Sequence, residues 1–164
     1  MSENFPVKFI LKGVLKLVSP MSIGSGEHSN SDSDVLLDRH GNPFIPATSI
    51  TGVVRSFFRE NNWDDDYFFG FCRKTTTNQS KICFYDLHLS KKQTGEIALR
   101  DGIMIKTRSA TVENKFDYEI VNKDSRFDLE ILFNSYKNEA EKMEQAVVTI
   151  RDLLKNGTLN FGSK

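Results

Sequence analysis

The sequence predicts an α+β fold in which two amphipathic helices alternate with strands. Three patterns carry that expectation. Ile50, Val53, Val54, Phe57 and Phe58 recur at helical spacing. Phe127, Leu129, Ile131 and Phe133 recur at every second position and so share one face of a strand. Between residues 7 and 17 every odd position except Gly13 is apolar. A chain of 164 residues fits one domain with a core large enough to fold unaided.

The first element, VKFILKGVLKLV (7–18), has one apolar face and one face that mixes Lys8, Lys12 and Lys16 with Ile10 and Val14. The lysines also recur every four residues, as in a helix, but Gly13 and the valines favour a strand. Residues 19–33 lack periodicity and are rich in Ser and Gly, which predicts a loop. Val35, Leu36 and Leu37 lead into a turn at 38–43, where Asp38 can form an Asx-turn ahead of Gly41. Thr48 or Ser49 is expected to cap a helix that ends near Glu60.

Residues 61–80 predict a connecting loop anchored by Tyr67, Phe68 and Phe69, with Asp64, Asp65 and Asp66 as a solvated loop or cap. Ile82 to Leu89 reads as a strand, residues 100–125 as an irregular basic hairpin and residues 126–133 as a further strand. A second helix over 138–156 follows, with Gly157 as its stop, and Thr158 to Phe161 begins another extended piece. This is the β-α-β-β-α-β order of a ferredoxin-like, RRM-like domain with insertions, its final strand missing or supplied elsewhere. The expectation is a single domain over 1–164, the N-terminal part of a longer or fused chain, or one whose open sheet edge a partner covers.

Composition narrows the function. The 22 basic and 22 acidic residues cancel, so nucleic-acid binding would have to rest on a local patch. Cys72 and Cys83 match no zinc spacing and read as two reduced thiols. No apolar run reaches the ~20 residues of a membrane span, and the N-terminus lacks a secretory pattern, so a cytoplasmic location is expected.

LVSPMSIGSGE (17–27) and SDSDVLLDRHGNPFIPATSITGVVRS (31–56) resemble the N-terminal signature of the RAMP superfamily of CRISPR proteins. They are most similar to the backbone subunits that line the guide RNA in type III effector complexes. RDGIMIKTRSATVENKFDYEIV (100–121) resembles that family's second signature. Two departures stand out. The family's Ser-Ser-Leu-Lys-Gly is Thr48-Ser49-Ile50-Thr51-Gly52 here, without the lysine, and the chain stops at FGSK (161–164) where a Gly-rich loop would begin.

The resemblance implies a guide-RNA-binding subunit with guide RNA, target RNA and other CRISPR effector subunits as partners. It implies RNA contacts at Thr48, Ser49, Thr51, Gly52 and Arg55, where helix amides and a cation would meet phosphate. Lys106, Arg108 and Lys115 would lie on a thumb-like hairpin. Asp32, alternating with Asp34, would be the catalytic carboxylate of a Mg²⁺-dependent endoribonuclease, with Asp32 holding the metal and Glu27 and His28 assisting. From the residues alone, Thr48 and Ser49 are caps, Arg55 a surface residue and the acidic stretch a solvated loop. Asp38 and His40 read as turn residues. Two alternatives stand beside target cleavage: guide-RNA maturation with a histidine base, for which His28 is the candidate, and a structural subunit without chemistry.

Overall fold

The computed structural model describes residues 4–24, 35–90, 97–103 and 115–157 with Leu159, with the backbone alone at 101–103 and 115–117. The elements run β1 (Pro6–Lys16), β2 (Phe44–Ile45), α1 (Ala47–Glu60), α2 (Asp65–Phe69), β3 (Phe71–Cys72), β4 (Thr77–Asn78) and β5 (Ile82–Phe84). They continue with β6 (Leu87–His88), β7 (Ile97–Ile103), β8 (Lys115–Val121), β9 (Arg126–Tyr136), a 3₁₀ turn (Lys137–Glu139) and α3 (Ala140–Lys155). The fold is mixed α/β with antiparallel sheets.

The main sheet has the order β1-β9-β5. β5 pairs antiparallel with β9, Ile82 opposite Phe133 and Phe84 opposite Ile131. β1 also runs against β9: the Lys137 amide donates to the Phe5 carbonyl, Lys12 pairs with Glu130, and the Leu17 amide donates to the Ser125 carbonyl. β7 and β8 form a separate antiparallel ribbon from Ile97–Val121 to Ile103–Lys115, as the predicted hairpin requires.

The chain divides into two compact units. The first draws on Met1–Gly13, Pro46–Leu87 and Asp128–Asn160. Its core is built from one face of each element: Ile50, Val54 and Phe58 of α1, Ile82 and Phe84 of β5, Leu129, Ile131 and Phe133 of β9, and Met143, Ala146 and Ile150 of α3. Each fully buried side chain of this size contributes about 1.5–3 kcal/mol. Phe58 sits at the centre, with ring centroids 5.3 Å from both Phe68 and Phe69 and 4.9 Å from Trp63.

The second unit draws on Val14–Ile45, His88–Phe127 and Phe161–Lys164. Leu17, Met21, Val35, Ile45, Ile120, Val121 and Phe127 are buried there. Met21 and Val121 exchange both backbone hydrogen bonds, at 2.8 and 3.0 Å.

Two segments differ from the sequence expectation. The predicted strand from Ile82 to Leu89 is interrupted at Tyr85 and Asp86, because the Asp86 carboxylate turns to accept a hydrogen bond from the Ala47 amide at 2.7 Å. The predicted loop at 61–80 contains α2 and the β3–β4 ribbon. Asp64 caps α2 by accepting from the Tyr67 amide at 3.0 Å, and Gly70, at φ 71°, ends it. Gly157 closes α3 at φ 63°, as its sequence position predicts.

Candidate nucleic-acid interface

The start of α1 is the first place to look for an anion site, because the opening amides of a helix have no intrahelical acceptors. The helix begins earlier than its sequence suggests. Pro46 occupies the N-cap position without a side-chain bond, and Thr48 and Ser49 lie inside the first turn, so neither is the cap. The open amides are therefore those of residues 47–49 and not 50–52. Ala47 donates to Asp86, and Ser49 donates to the Pro46 carbonyl at 3.0 Å. Among the described residues the Thr48 amide has no acceptor.

The side chains around this start divide by direction. Thr51 donates its hydroxyl to the Ala47 carbonyl at 2.7 Å, folding back on the helix. Thr48, Gly52 and Ser56 recur every four residues on one face, and all three are exposed. A Cβ added at Gly52 would meet nothing within 4 Å. Glycine inside a helix costs about 1 kcal/mol relative to alanine, and here no packing within the described chain demands it.

Arg55 points elsewhere. Its guanidinium binds Asp65 at 2.8 Å and Asp66 at 2.9 Å. Arg59 also binds Asp65 at 2.8 Å, and Arg73 binds Asp66. The bond from Arg59, followed by that from Arg55, holds the Asp65 carboxyl below the usual carboxylate range. Asp65 in turn raises Arg59. The three consecutive aspartates expected as a solvated loop or cap thus split into one cap and two arginine partners.

In the second unit, Asp38 organises the turn that the sequence assigned to it. One carboxylate oxygen accepts from the His40 amide at 2.8 Å and the Asn42 amide at 3.0 Å, while Gly41 sits at φ 77°. The other oxygen lies 3.4 Å from Nδ1 of His88. The Asn42 amide leads, with His40 and His88 adding to it, in lowering the Asp38 carboxyl. The His88 ring stacks on Phe44, centroids 5.7 Å apart and planes within 19°.

Lys115 opens β8, opposite Ile103. Glu27, His28, Asp32, Asp34, Lys106 and Arg108 lie outside the described residues, so the expected Mg²⁺ site does too. Among the described residues no group of three or more His, Cys, Asp or Glu side chains is arranged to hold a metal ion. No described helix is long and apolar enough to cross a membrane.

With this geometry in place, comparison with known proteins decides the family. The RAMP superfamily profile matches residues 14–164. The chain belongs to the RAMP superfamily. Solved structures carry the same fold, with 122 matching chains. A chain of the cryo-EM structure of the Type III-B Cmr-beta bound to cognate target RNA aligns at TM-score 0.60 and 15% identity. That alignment covers 77% of this chain and 46% of the other, so this RAMP chain spans less than half of that relative's length. A chain of Type III-B Cmr-beta in the apo state aligns at TM-score 0.68 and 12% identity, covering 95% of this chain and 93% of the other. No curated protein matches.

Two residues of this RAMP chain escape a reading of the sequence. Asp86 caps α1 from 39 positions away, and nothing in the sequence around Ala47 announces that role. His88 lies in a short strand of ordinary composition, and only the fold brings it to Asp38 and Phe44. The break of an apolar strand by Tyr85-Asp86 was the one available signal for the first.

Proposed function

We propose that this RAMP chain is a guide-RNA-binding backbone subunit of a type III CRISPR effector complex. The observation that carries the reading is Gly52: an exposed glycine inside a well-formed helix, facing open space, next to the Thr48 amide without an acceptor. A glycine that packing among the described residues does not need suits a backbone approached closely from outside. The RAMP profile and the likeness to Cmr-beta chains support RNA as that visitor. In this reading Thr48, Ser49 and Gly52 face the guide backbone. Thr51 and Arg55 act from behind, Thr51 through the Ala47 carbonyl and Arg55 by tying α1 to Asp65 and Asp66.

The same proposal takes the β1-β9-β5 sheet with α1 and α3 as a ferredoxin-like domain. Lys106, Arg108 and Lys115 serve the hairpin that meets the guide–target duplex. Asp32, with Asp34 beside it, is the proposed target-cutting carboxylate, and Mg²⁺ its metal. The test is assembly with guide RNA, followed by complementary target RNA and Mg²⁺. Asp32→Ala is expected to abolish target cutting and leave guide binding intact; a complex that cuts equally with and without Asp32 overturns the catalytic assignment.

A second reading, guide-RNA maturation, draws on a different observation. His88 is largely exposed and its Nδ1 faces the Asp38 carboxylate, an arrangement that orients an imidazole for proton transfer. Precursor cutting in the absence of target, lost in His88→Ala and kept in Asp32→Ala, would select this reading over the first.

A further inference from the structure

The first unit carries an open groove of about 540 Å³ lined by Trp63, Glu141, Glu144, Gln145, Val148 and Thr149. Its floor is built by the end of α1. Asn62 adopts φ 60°, and two backbone bonds close the helix: Asn62 to the Arg59 carbonyl at 3.2 Å and Trp63 to the Phe58 carbonyl at 2.9 Å. This is the Schellman arrangement, completed by the apolar contact between Trp63 and Phe58. One part of the indole therefore packs on Phe58 and Phe68, with centroids 4.9 and 5.7 Å away, while the ring also lines the groove.

The wall comes from α3. Glu141 and Glu144 are three residues apart, so they share a face, and both are exposed. Among the described residues neither carboxylate forms an ion pair, whereas Asp65, Asp66, Glu130, Glu139 and Asp124 all do. The neighbouring Lys142 does not line the groove; its ammonium lies 3.7 Å from the Tyr67 ring centroid. The groove thus joins an aromatic surface held by the fold, two carboxylates without an ion pair and the exposed methyls of Val148, with no cation among the described residues of its lining.

We propose that this groove docks an arginine side chain of a partner protein. A guanidinium can lie over the indole while its N–H fork reaches carboxylates, and its methylene stem covers Val148. Lysine supplies the charge without the planar fork. An RNA backbone would bring its phosphates against the two glutamates, so the occupant is a basic polypeptide segment. The inference does not depend on the RNA-binding reading of α1, because the groove uses none of its residues.

Trp63 is the only tryptophan of the chain, so its emission reports on the groove directly. The probe is a capped pentapeptide carrying two arginines, titrated into the full chain, with the same peptide carrying citrulline as the uncharged control. A saturable change of Trp63 emission with the arginine peptide and none with citrulline is expected. The double variant Glu141→Gln, Glu144→Gln is expected to weaken binding at least about fivefold, with an unchanged melting temperature because both positions are exposed. No saturable change with arginine, an equal response to citrulline, or full binding by the double variant would overturn the proposal. Displacement of the peptide by a short RNA with a matching emission change would overturn the choice of a protein occupant.

Discussion

Asp65 and Asp66 open the short helix α2 in the first unit and Asp38 opens a turn in the second, yet these carboxylates do different work. Asp65 and Asp66 bind the side chains of Arg55, Arg59 and Arg73, which come from α1 and from the segment after β3. Asp38 binds two amides within four residues of itself and one imidazole. The first arrangement ties separate elements together through charge. The second shapes one turn and aims one side chain. A cluster of acids in a sequence therefore says little by itself about metal binding; what matters is whether cations of the same chain already reach it.

The largest expected effect tests how the arginine-bound pair is held. Gly70 ends α2 at φ 71°, and a Cβ there would press on the Asn78 carbonyl and come to 2.7 Å from the Ser80 amide. Gly70→Ala is expected to destabilise the protein by about 3 kcal/mol or more, read from denaturant unfolding. Arg55→Ala should cost less, about 1 kcal/mol, since Arg59 still binds Asp65 and Arg73 still binds Asp66. Guide-RNA affinity in Arg55→Ala should change little once the variant is folded, in contrast to a phosphate ligand, whose loss would flatten the salt dependence of binding.

Acid titration compares the two regions directly. Asp65 and Asp38 both have folded-state carboxyls below their unfolded value, Asp65 through Arg59 and Arg55, and Asp38 through the Asn42 and His40 amides and His88. Each therefore adds stability that is fully present above the unfolded value, near 3.9, and is lost as pH falls through the folded one. Stability measured between about pH 5 and pH 2 should fall less steeply in Asp65→Asn than in wild type, and likewise in Asp38→Asn. High salt should shrink the Asp65 contribution more, because its partners are charged side chains and those of Asp38 are chiefly amides.

The same contrast explains what the sequence revealed. Asp38 could be read because its partners are its neighbours, and Gly41 and Gly157 because a positive φ is a local demand. The strand expected at 126–133 and both long helices followed from apolar periodicity, and the strand expected at 7–18 from periodicity together with Gly13 and the valines. Asp86 as the cap of α1, the arginines on Asp65 and Asp66, and the pairing of His88 with Asp38 all depend on contacts made across 6 to 50 positions. Periodicity and short motifs carry no record of such partners. The early start of α1 was hidden for the same reason: Thr48 and Ser49 are good caps locally, but Asp86 reaches Ala47 first.

The central claim is that RNA lies against the exposed start of α1, and Gly52 tests it most directly. Gly52→Ala has room for its methyl and removes a helix-interior glycine, so the fold should gain about 0.5–1 kcal/mol. Melting temperature and guide-RNA affinity are measured on the same preparation. A higher melting temperature together with affinity weakened about tenfold or more, equivalent to about 1.4 kcal/mol, is the predicted result. A stabilised protein that binds guide RNA as tightly as wild type would contradict the account.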